Sequence, residues 1–415
     1  MQKHNINGWD VFHEQKHDAP PIISVRMILS QNPLHAHKGF SAMYIQMLRQ
    51  MISKESVHYS LAGAPTVSWA QEYINIGVTS LEEDLEEFLI LIQKVLHSIP
   101  SPEMLAEELR QQHKLDEWNA QQPQELLSAT LYEQYYGLGH HLCHDIDASW
   151  RDRAQISTEM FVAHQKEAWG ATLFIVSHVP WERIESIVQT HLVENKPNSC
   201  FEIPLPNPHW SAMSIPCSAS EQVGITIVSP ARNSLDPLEK ATHVGLMALA
   251  VMFQSRMNLK IRQEEGLSYG VDCHYIPKKQ YGRIEFSCFS QPDQAFHTYQ
   301  LMQKTIQEAN ASWTEEEIQQ AKEQLIRNEK IRGETCAQHL SLRVQQFHTQ
   351  QSFLSLEERC AQWQHVSLAQ VQEVMREVSK APQLVLCLGQ EEFLAPFGFP
   401  KAPVPQKYIF EPDLL

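Results

Sequence analysis

The chain has 415 residues, 43% hydrophobic and 20% charged, with a formal net charge of -16. That length suits two domains of about 200 residues, and the composition suits a well-ordered globular protein. The acidity argues against nucleic acid and anionic membranes, which select basic surfaces, and no apolar run of about 18 residues offers a membrane span.

Trp9–Phe12 reads as a short strand, Pro20 and Pro21 as a break, and Ile22–Leu29 as a buried strand, together a hairpin. A helical stretch covers Gly39–Met51, and Leu61–Val78 is strand-like with a Gly/Pro interruption. Leu81–Leu96 has apolar residues at helical spacing and acids in its first turn, where they meet the positive helix end. A further helix spans Glu103–Ala120, and Thr172–Ser177 returns to strand. Residues 194–216 are rich in Pro, Asn and Ser and lack periodicity. They read as a linker between domains over 1–193 and 217–415.

The pattern then restarts. Val223–Val228 is a strand, Pro237–Gln254 a helix, Arg283–Phe289 an alternating strand and Ala295–Ala309 a helix. A longer helix opens where Thr314 is followed by Glu317, a capping box, and Ser367–Gln370 repeats the device. Leu384–Leu388 closes with a strand. The same order of elements in both halves suggests a duplication.

Cysteines stand at 143, 200, 217, 273, 288, 336, 360 and 387 with no Cys-x-x-Cys. That scatter suits free thiols in a reducing compartment. The first residues hold no apolar stretch of signal-peptide length, so the expectation is a cytoplasmic protein.

Three places hold residues with chemical potential. His13-Glu-Gln-Lys-His17 spells the zincin motif His-Glu-x-x-His. That motif works on a helix, where histidines four apart share a face, and here a strand precedes it and Pro20 follows closely. His140, His141 and His144 crowd around Cys143 and Asp145, which reads as a solvated loop rather than a metal site. In Arg262-Gln-Glu-Glu-Gly266-Leu-Ser-Tyr269, an uninterrupted helix would set Arg262 and Tyr269 on one face. Gly266 points instead to a helix end between them, with Tyr269 opening the next strand. Spacing alone favours a surface Arg and a strand Tyr buried for packing.

Taken in series, Asp236-Pro-Leu-Glu, Arg262-x-x-x-Gly-Leu-x-Tyr269 and Trp313–Lys322 resemble the pitrilysin/insulinase metallopeptidases, which are inverzincins. The resemblance runs from about Asn7 to Gly389. It implies an α+β fold of two homologous domains, each a mostly antiparallel mixed sheet with helices packed on one face. Where that family writes its zinc helix, this chain reads Gly39-Phe-Ser-Ala42-Met-Tyr-Ile45-Gln46-Met47. The two histidine positions fall on Ala42 and Gln46, and the catalytic glutamate on Ile45. No His-x-x-Glu-His occurs anywhere. The third ligand would come from near Glu107 or Glu108. Zinc needs N, S or O donors, and its water needs a carboxylate base, so no metal and no cofactor is expected in this chain.

The resemblance therefore implies a non-zinc subunit, inactive alone, of a heterodimeric zinc metalloendopeptidase. A homologous His-x-x-Glu-His partner would hold the zinc and the edge strand to which a peptide adds. Arg262 would hold substrate carbonyls, and Tyr269 would stabilise the developing oxyanion. Glycine is scarce, at 15 residues, which argues against close similarity to the glycine-loop subunit of the mitochondrial processing peptidase. The rivals are a stand-alone peptide-binding or scaffold protein on an inactive peptidase fold, and an enzyme with metal at His13 and His17 or at the 140–144 cluster.

Overall fold

The computed structural model describes residues 1–16, 20–30, 37–69, 73–138, 140, 142–143, 148–166, 170–192, 204–310, 313–350 and 352–409. Two sheets organise them. The first contains β1 (Gln2–Ile6), β2 (Trp9–Gln15), β3 (Ile22–Ser30), β4 (Thr66–Trp69), β5 (Ile74–Leu81) and β6 (Gly170–Ser177), in the order β1-β2-β6-β3-β5-β4. The second contains β7 (Ala212–Pro216), β8 (Val223–Ala231), β9 (Asp272–Pro277), β10 (Gly282–Ser290) and β11 (Leu384–Gly389), in the order β7-β11-β8-β10-β9.

Without β1, the two orders superimpose strand for strand. Each has a single parallel pair, β2 with β6 and β7 with β11, and antiparallel ladders elsewhere. The duplication suggested by the order of elements is thus written into the topology. The fold is α+β, with mixed, mostly antiparallel sheets.

The hairpin expected between Trp9–Phe12 and Ile22–Leu29 does not form. β6 lies between β2 and β3 and pairs with both. The hairpin instead joins β1 to β2 through Asn7 and Gly8, at φ 51° and 80°. An Asn-Gly pair with both φ positive is the two-residue turn whose twist suits a hairpin.

The helices of the first half are α1 (Phe40–Ser56), α2 (Leu85–Leu96), α3 (Pro102–Asn119), α4 (Pro123–Tyr136), α5 (Thr158–Lys166) and α6 (Trp181–His191). In the second half, α7 (Glu239–Leu246) runs on into a π turn over Met247–Val251. It is followed by α8 (Ala295–Gln307), α9 (Glu315–Ile331), α10 (Cys336–Gln350), α11 (Leu356–Gln364) and α12 (Leu368–Lys380). The capping boxes at Thr314/Glu317 and Ser367/Gln370 form as their spacing predicts. The span read as a linker, 194–216, ends in strand: its last five residues are β7.

The central strands β6, β8 and β11 are buried on both faces, which explains their nearly continuous apolar sequences. On β6, Leu173 and Ile175 join the core under α1 and α2, whereas Phe174 and Val176 face the other way. That second face is covered by Cys336, Leu340 and Val344 of α10, a helix of the other half. The arrangement is reciprocal. On β11, Val385 and Cys387 face the second half's own helices, while Leu384, Leu386 and Leu388 pack on Leu131, Tyr135 and Tyr136 of α4. Each half's own helices thus take one face of its sheet and lend one helix to its neighbour's other face. A polar contact seals the second junction: Arg283 of β10 donates to Tyr136 Oη at 2.6 Å beneath the rings of Tyr132 and Tyr135.

The seven described cysteines are free thiols. Among the described residues no helix is long and apolar enough to cross a membrane.

Candidate functional site

Helix α1 begins at Gly39, whose φ of 84° only glycine adopts readily. A Cβ there would lie 2.7 Å from Ala148 Cβ and 3.3 Å from Arg153 Cγ. The glycine thus lets the Arg153 segment close over the start of the helix. Along α1, Phe40, Met43, Tyr44, Ile45, Met47, Leu48, Met51 and Ile52 turn into the core. Ala42, Ile45 and Gln46 line one side of a cavity of about 250 Å³, with Trp69 on β4 and Leu115 and Asp116 on α3 among its other walls.

None of the three positions offers a metal donor set. Gln46 Oε1 accepts from Arg49 Nη1 at 3.1 Å, and Arg49 Nε donates to Val67 O at 2.9 Å. Both oxygens of Glu108, buried on α3, are engaged: Oε1 accepts from Gln112 Nε2 at 2.7 Å and Oε2 from Gln50 Nε2. Glu107 is exposed and held by Arg110 and Gln111. Among the described residues no group of three or more His, Cys, Asp or Glu side chains could hold a metal ion.

The histidine-based alternatives fare no better. His13 sits on strand β2, not on a helix, and is buried with Nε2 3.3 Å from Ser177 Oγ. Burial first, and the nearby His4 second, push its pKa down to about 4. His17 lies outside the described residues, as do His141 and His144. His140 is a structural bracket: Nδ1 accepts from Leu142 N at 3.2 Å and Nε2 donates to Pro204 O at 2.9 Å. Burial pushes its pKa down to about 4 as well.

Arg262 stands on a π turn over Leu259–Glu264 that continues a short helix over Arg256–Asn258. Gly266, at φ 65°, ends that run. Tyr269 does not open a strand; it lies three residues before β9, and at 91% exposure it projects into solvent. Its ring lines a cleft of about 860 Å³ between the start of α4, the loop at Ala219–Gln222 and strands β9 and β10. The Arg262 guanidinium lies 4.7 Å from the centre of the Phe253 ring. Phe253 in turn lines a separate groove of about 590 Å³ against α9. Both side chains are free of the core, and no hydrogen bond or ring contact joins them to one another.

One residue that sequence patterning gave no reason to single out positions this region. Asn258 is buried, and its Nδ2 donates to Ala250 O at 3.0 Å and Met252 O at 3.1 Å. Its Oδ1 accepts from Val271 N at 2.9 Å. It therefore ties the end of the first π turn to the loop that carries Tyr269. Ser268 Oγ adds a bond to Phe289 O at 2.8 Å. Wide π turns flank this anchor on both sides, a local distortion common at functional positions.

Residues 167–325 match the family model of the peptidase M16 inactive domain. That stretch is similar to the inactive domain of M16 peptidases. The crystal structure of a peptidase M16 inactive domain from Pseudomonas fluorescens superimposes with a TM-score of 0.81 at 19% identity, covering 94% of this chain and 98% of that one. A protease from Helicobacter pylori gives 0.75 at 12% identity, over 93% and 98%. The periplasmic protease PqqL from Escherichia coli gives 0.74 at 14% identity, over 94% of this chain but 46% of that one. No curated protein sequence matches the chain. The resemblance to pitrilysin-type peptidases is thus borne out in fold and in the M16 inactive domain. Helix α1 stands where the resemblance puts a zinc helix, and it carries Ala42, Ile45 and Gln46.

Proposed function

We propose that this chain is the non-zinc subunit of a heterodimeric zinc metallopeptidase. The observation that carries the reading is α1 itself, an intact helix in an M16-type fold whose 42, 45 and 46 positions hold no ligand and no base. A fold kept at that quality without its metal site is of use as half of a chamber. The coverage of 46% of the longer Escherichia coli protease supports the same geometry, with one such unit filling about half of a larger peptidase.

In this reading a homologous His-x-x-Glu-His subunit holds zinc and the peptide's reacting carbonyl. Residues 1–193 and 217–415, joined by 194–216, form two peptidase-like domains of the opposite wall. Arg262 and Tyr269, both free of the core, reach the peptide from that wall. An Arg there holds backbone carbonyls, and a phenol donates to the oxyanion as it forms. Substrates are peptides or extended segments, because a closed chamber excludes folded proteins, and the complex works in the cytoplasm.

The experiment is purification from the native cell under mild conditions with mass spectrometry of stoichiometric partners. An M16-type partner bearing His-x-x-Glu-His, and zinc-dependent peptidase activity present only in the complex, are expected. Elution alone or as a self-complex would overturn the split-site reading and leave a stand-alone peptide-binding or scaffold protein.

A further inference from the structure

The cavity over the abandoned zinc position is charged in the wrong sense for a metal. Its lining carries three cationic side chains, Arg49, Arg153 and Lys407, against one carboxylate, Asp116. That carboxylate is spoken for, since Arg153 and Asp116 form a buried ion pair. In a protein of net charge -16, a small pocket with surplus cations calls for an explanation.

Lys407 is the decisive residue. It is only 9% exposed, yet its ammonium makes no ion pair or hydrogen bond among the described residues. Its recorded contact is with the ring of Tyr408, whose centre is 4.8 Å from Nζ. Asp116 and Glu133 feel its charge. Glu133, however, is engaged by the Gln406 backbone N–H at 2.6 Å, and Asp116 by Arg153. The ammonium reaches the cavity, so its three donors are left to solvent there or to a ligand. An anionic ligand would supply acceptors and charge together.

Two further donors face the same space. Arg49 spends Nε and Nη1 on Val67 O and Gln46 Oε1, leaving Nη2 at the rim. The Asn119 side-chain amide lines the cavity and has no hydrogen-bond partner among the described residues. Trp69 and Leu115 provide apolar walls beside these donors. At about 250 Å³, the cavity is smaller than the roughly 300–1,000 Å³ of sites for drug-sized ligands. It suits one terminal residue of a chain rather than a longer segment.

We propose that the relict zinc cavity is a carboxylate site that takes the free C-terminus of a peptide. Lys407 and Arg49 bind the carboxylate, Asn119 adds a hydrogen bond, and Trp69 and Leu115 flank the last side chain. The site deepens the reading of this chain as a peptide-binding wall and rests on it for its choice of ligand. The fixed cations take over, for an anion, the place that zinc holds for a carbonyl in the active relatives implied by the resemblance.

The test uses the isolated full-length chain and three probes: acetyl-trialanine with a free carboxylate, the same peptide as its C-terminal amide, and acetyl-Ala-Asp-Ala-amide. Binding is read by calorimetry and by fluorescence of Trp69, the latter checked in Trp69→Phe. The free acid is expected to bind at least roughly tenfold more tightly than either amidated peptide, the scale of one charged hydrogen bond. Lys407→Met is expected to abolish that difference. Should Lys407→Met fail to fold, Arg49→Gln at the exposed rim is expected to weaken the acid alone by a few fold. Equal binding of acid and amide, preference for the Asp peptide, or no binding at millimolar concentration would each overturn the proposal. The measurement needs no second subunit, so its failure is separate from failure to find a zinc-bearing partner.

Discussion

Arg343 of α10 grips Glu14 of β2 through two parallel hydrogen bonds, Nε to Oε2 at 2.8 Å and Nη2 to Oε1 at 2.9 Å. His339, one turn earlier, adds a third at 2.8 Å. The contact fastens the second half's helix to the first half's sheet, beside the apolar seam of Phe12, Phe174, Leu340 and Val344. Burial alone would raise the Glu14 pKa, but the bonds from His339 and Arg343 overcome it and hold the carboxyl well below the usual range. The stability this contributes is complete above the ordinary carboxylate pKa of 4.5 and is lost as pH falls below that value toward the folded one. Glu14→Gln leaves the nearly buried Arg343 with no counter-charge, and should cost about 3 kcal/mol at pH 7. Urea denaturation at pH 7, 5 and 3.5 checks both claims. The wild-type advantage over Glu14→Gln should shrink at the lowest pH, and a constant difference would contradict the assignment.

His348 supplies a second acid-sensitive point at the same junction. Its ring stacks on Tyr73 with centroids 3.8 Å apart, and its buried Nε2 has no hydrogen-bond partner among the described residues. Burial, then the charges of Lys278 and Lys279, push its pKa down to about 4. The folded state therefore resists the proton that the unfolded chain accepts near pH 6.5. Stability is intact above that pH and drains away between 6.5 and 4, by about 3 kcal/mol for this group. His348→Phe keeps the stack and removes the titration. Thermal melts should show the variant at or above wild type at pH 5, with little difference at pH 8; parallel pH profiles would refute this.

How far the fold could be read from sequence depended on which surface each element faced. Thr172–Ser177 and Leu384–Leu388 were legible because burial on both faces makes a strand a continuous apolar run. The Thr314 and Ser367 boxes were legible because a cap is local chemistry. Helix α4 was not, although Pro123 at its first position is a start signal. It buries Leu131, Tyr135 and Tyr136 against the second sheet and packs Thr130 and Glu133 elsewhere, so no single apolar stripe marks it. The misplaced first hairpin has a different cause. Its partner strand β6 lies some 160 residues away, and only the Asn7-Gly8 pair flagged the true turn. At the site, Ala42, Ile45 and Gln46 stand in plain sequence where the resemblance expects two histidines and a glutamate. Lys407 was not legible, because nothing local in Gln406–Tyr408 says that the chain returns to α3.

Arg262 and Tyr269 should separate function from stability. Tyr269 touches little, and Arg262 forfeits only a cation–π contact with Phe253, worth about 0.5–1 kcal/mol at an exposed site. Arg262→Ala and Tyr269→Phe are therefore expected to melt within a degree or two of wild type. In the reconstituted complex each should lower kcat/KM at least tenfold, with Tyr269→Phe acting mainly on kcat, as befits a group that binds the transition state. Full activity in both variants would remove them from the site.

Helix α1 should accept a metal at a predictable cost if the proposed correspondence to a zinc helix holds. Positions 42 and 46 are one turn apart on α1 and both line the cavity, so imidazoles there share a face. Ala42→His combined with Gln46→His is expected to confer Zn(II) binding that wild type lacks. The affinity should be modest, because Glu108 is tied to Gln50 and Gln112 and the cavity's cations repel the ion. Adding Gln112→Ala, which releases one oxygen of Glu108, should tighten it. Ile45→Glu behaves differently. Ile45 is buried in the core and edges the cavity, so a carboxylate there loses apolar packing and hydration, which the cavity's cations offset only in part. It should destabilise the fold by at least about 2 kcal/mol, whether or not the histidines are present. Calorimetric zinc titrations and denaturation of the four variants check these expectations together. If the double histidine variant binds no zinc, α1 does not present 42 and 46 to a common space, and its correspondence to the zinc helix fails.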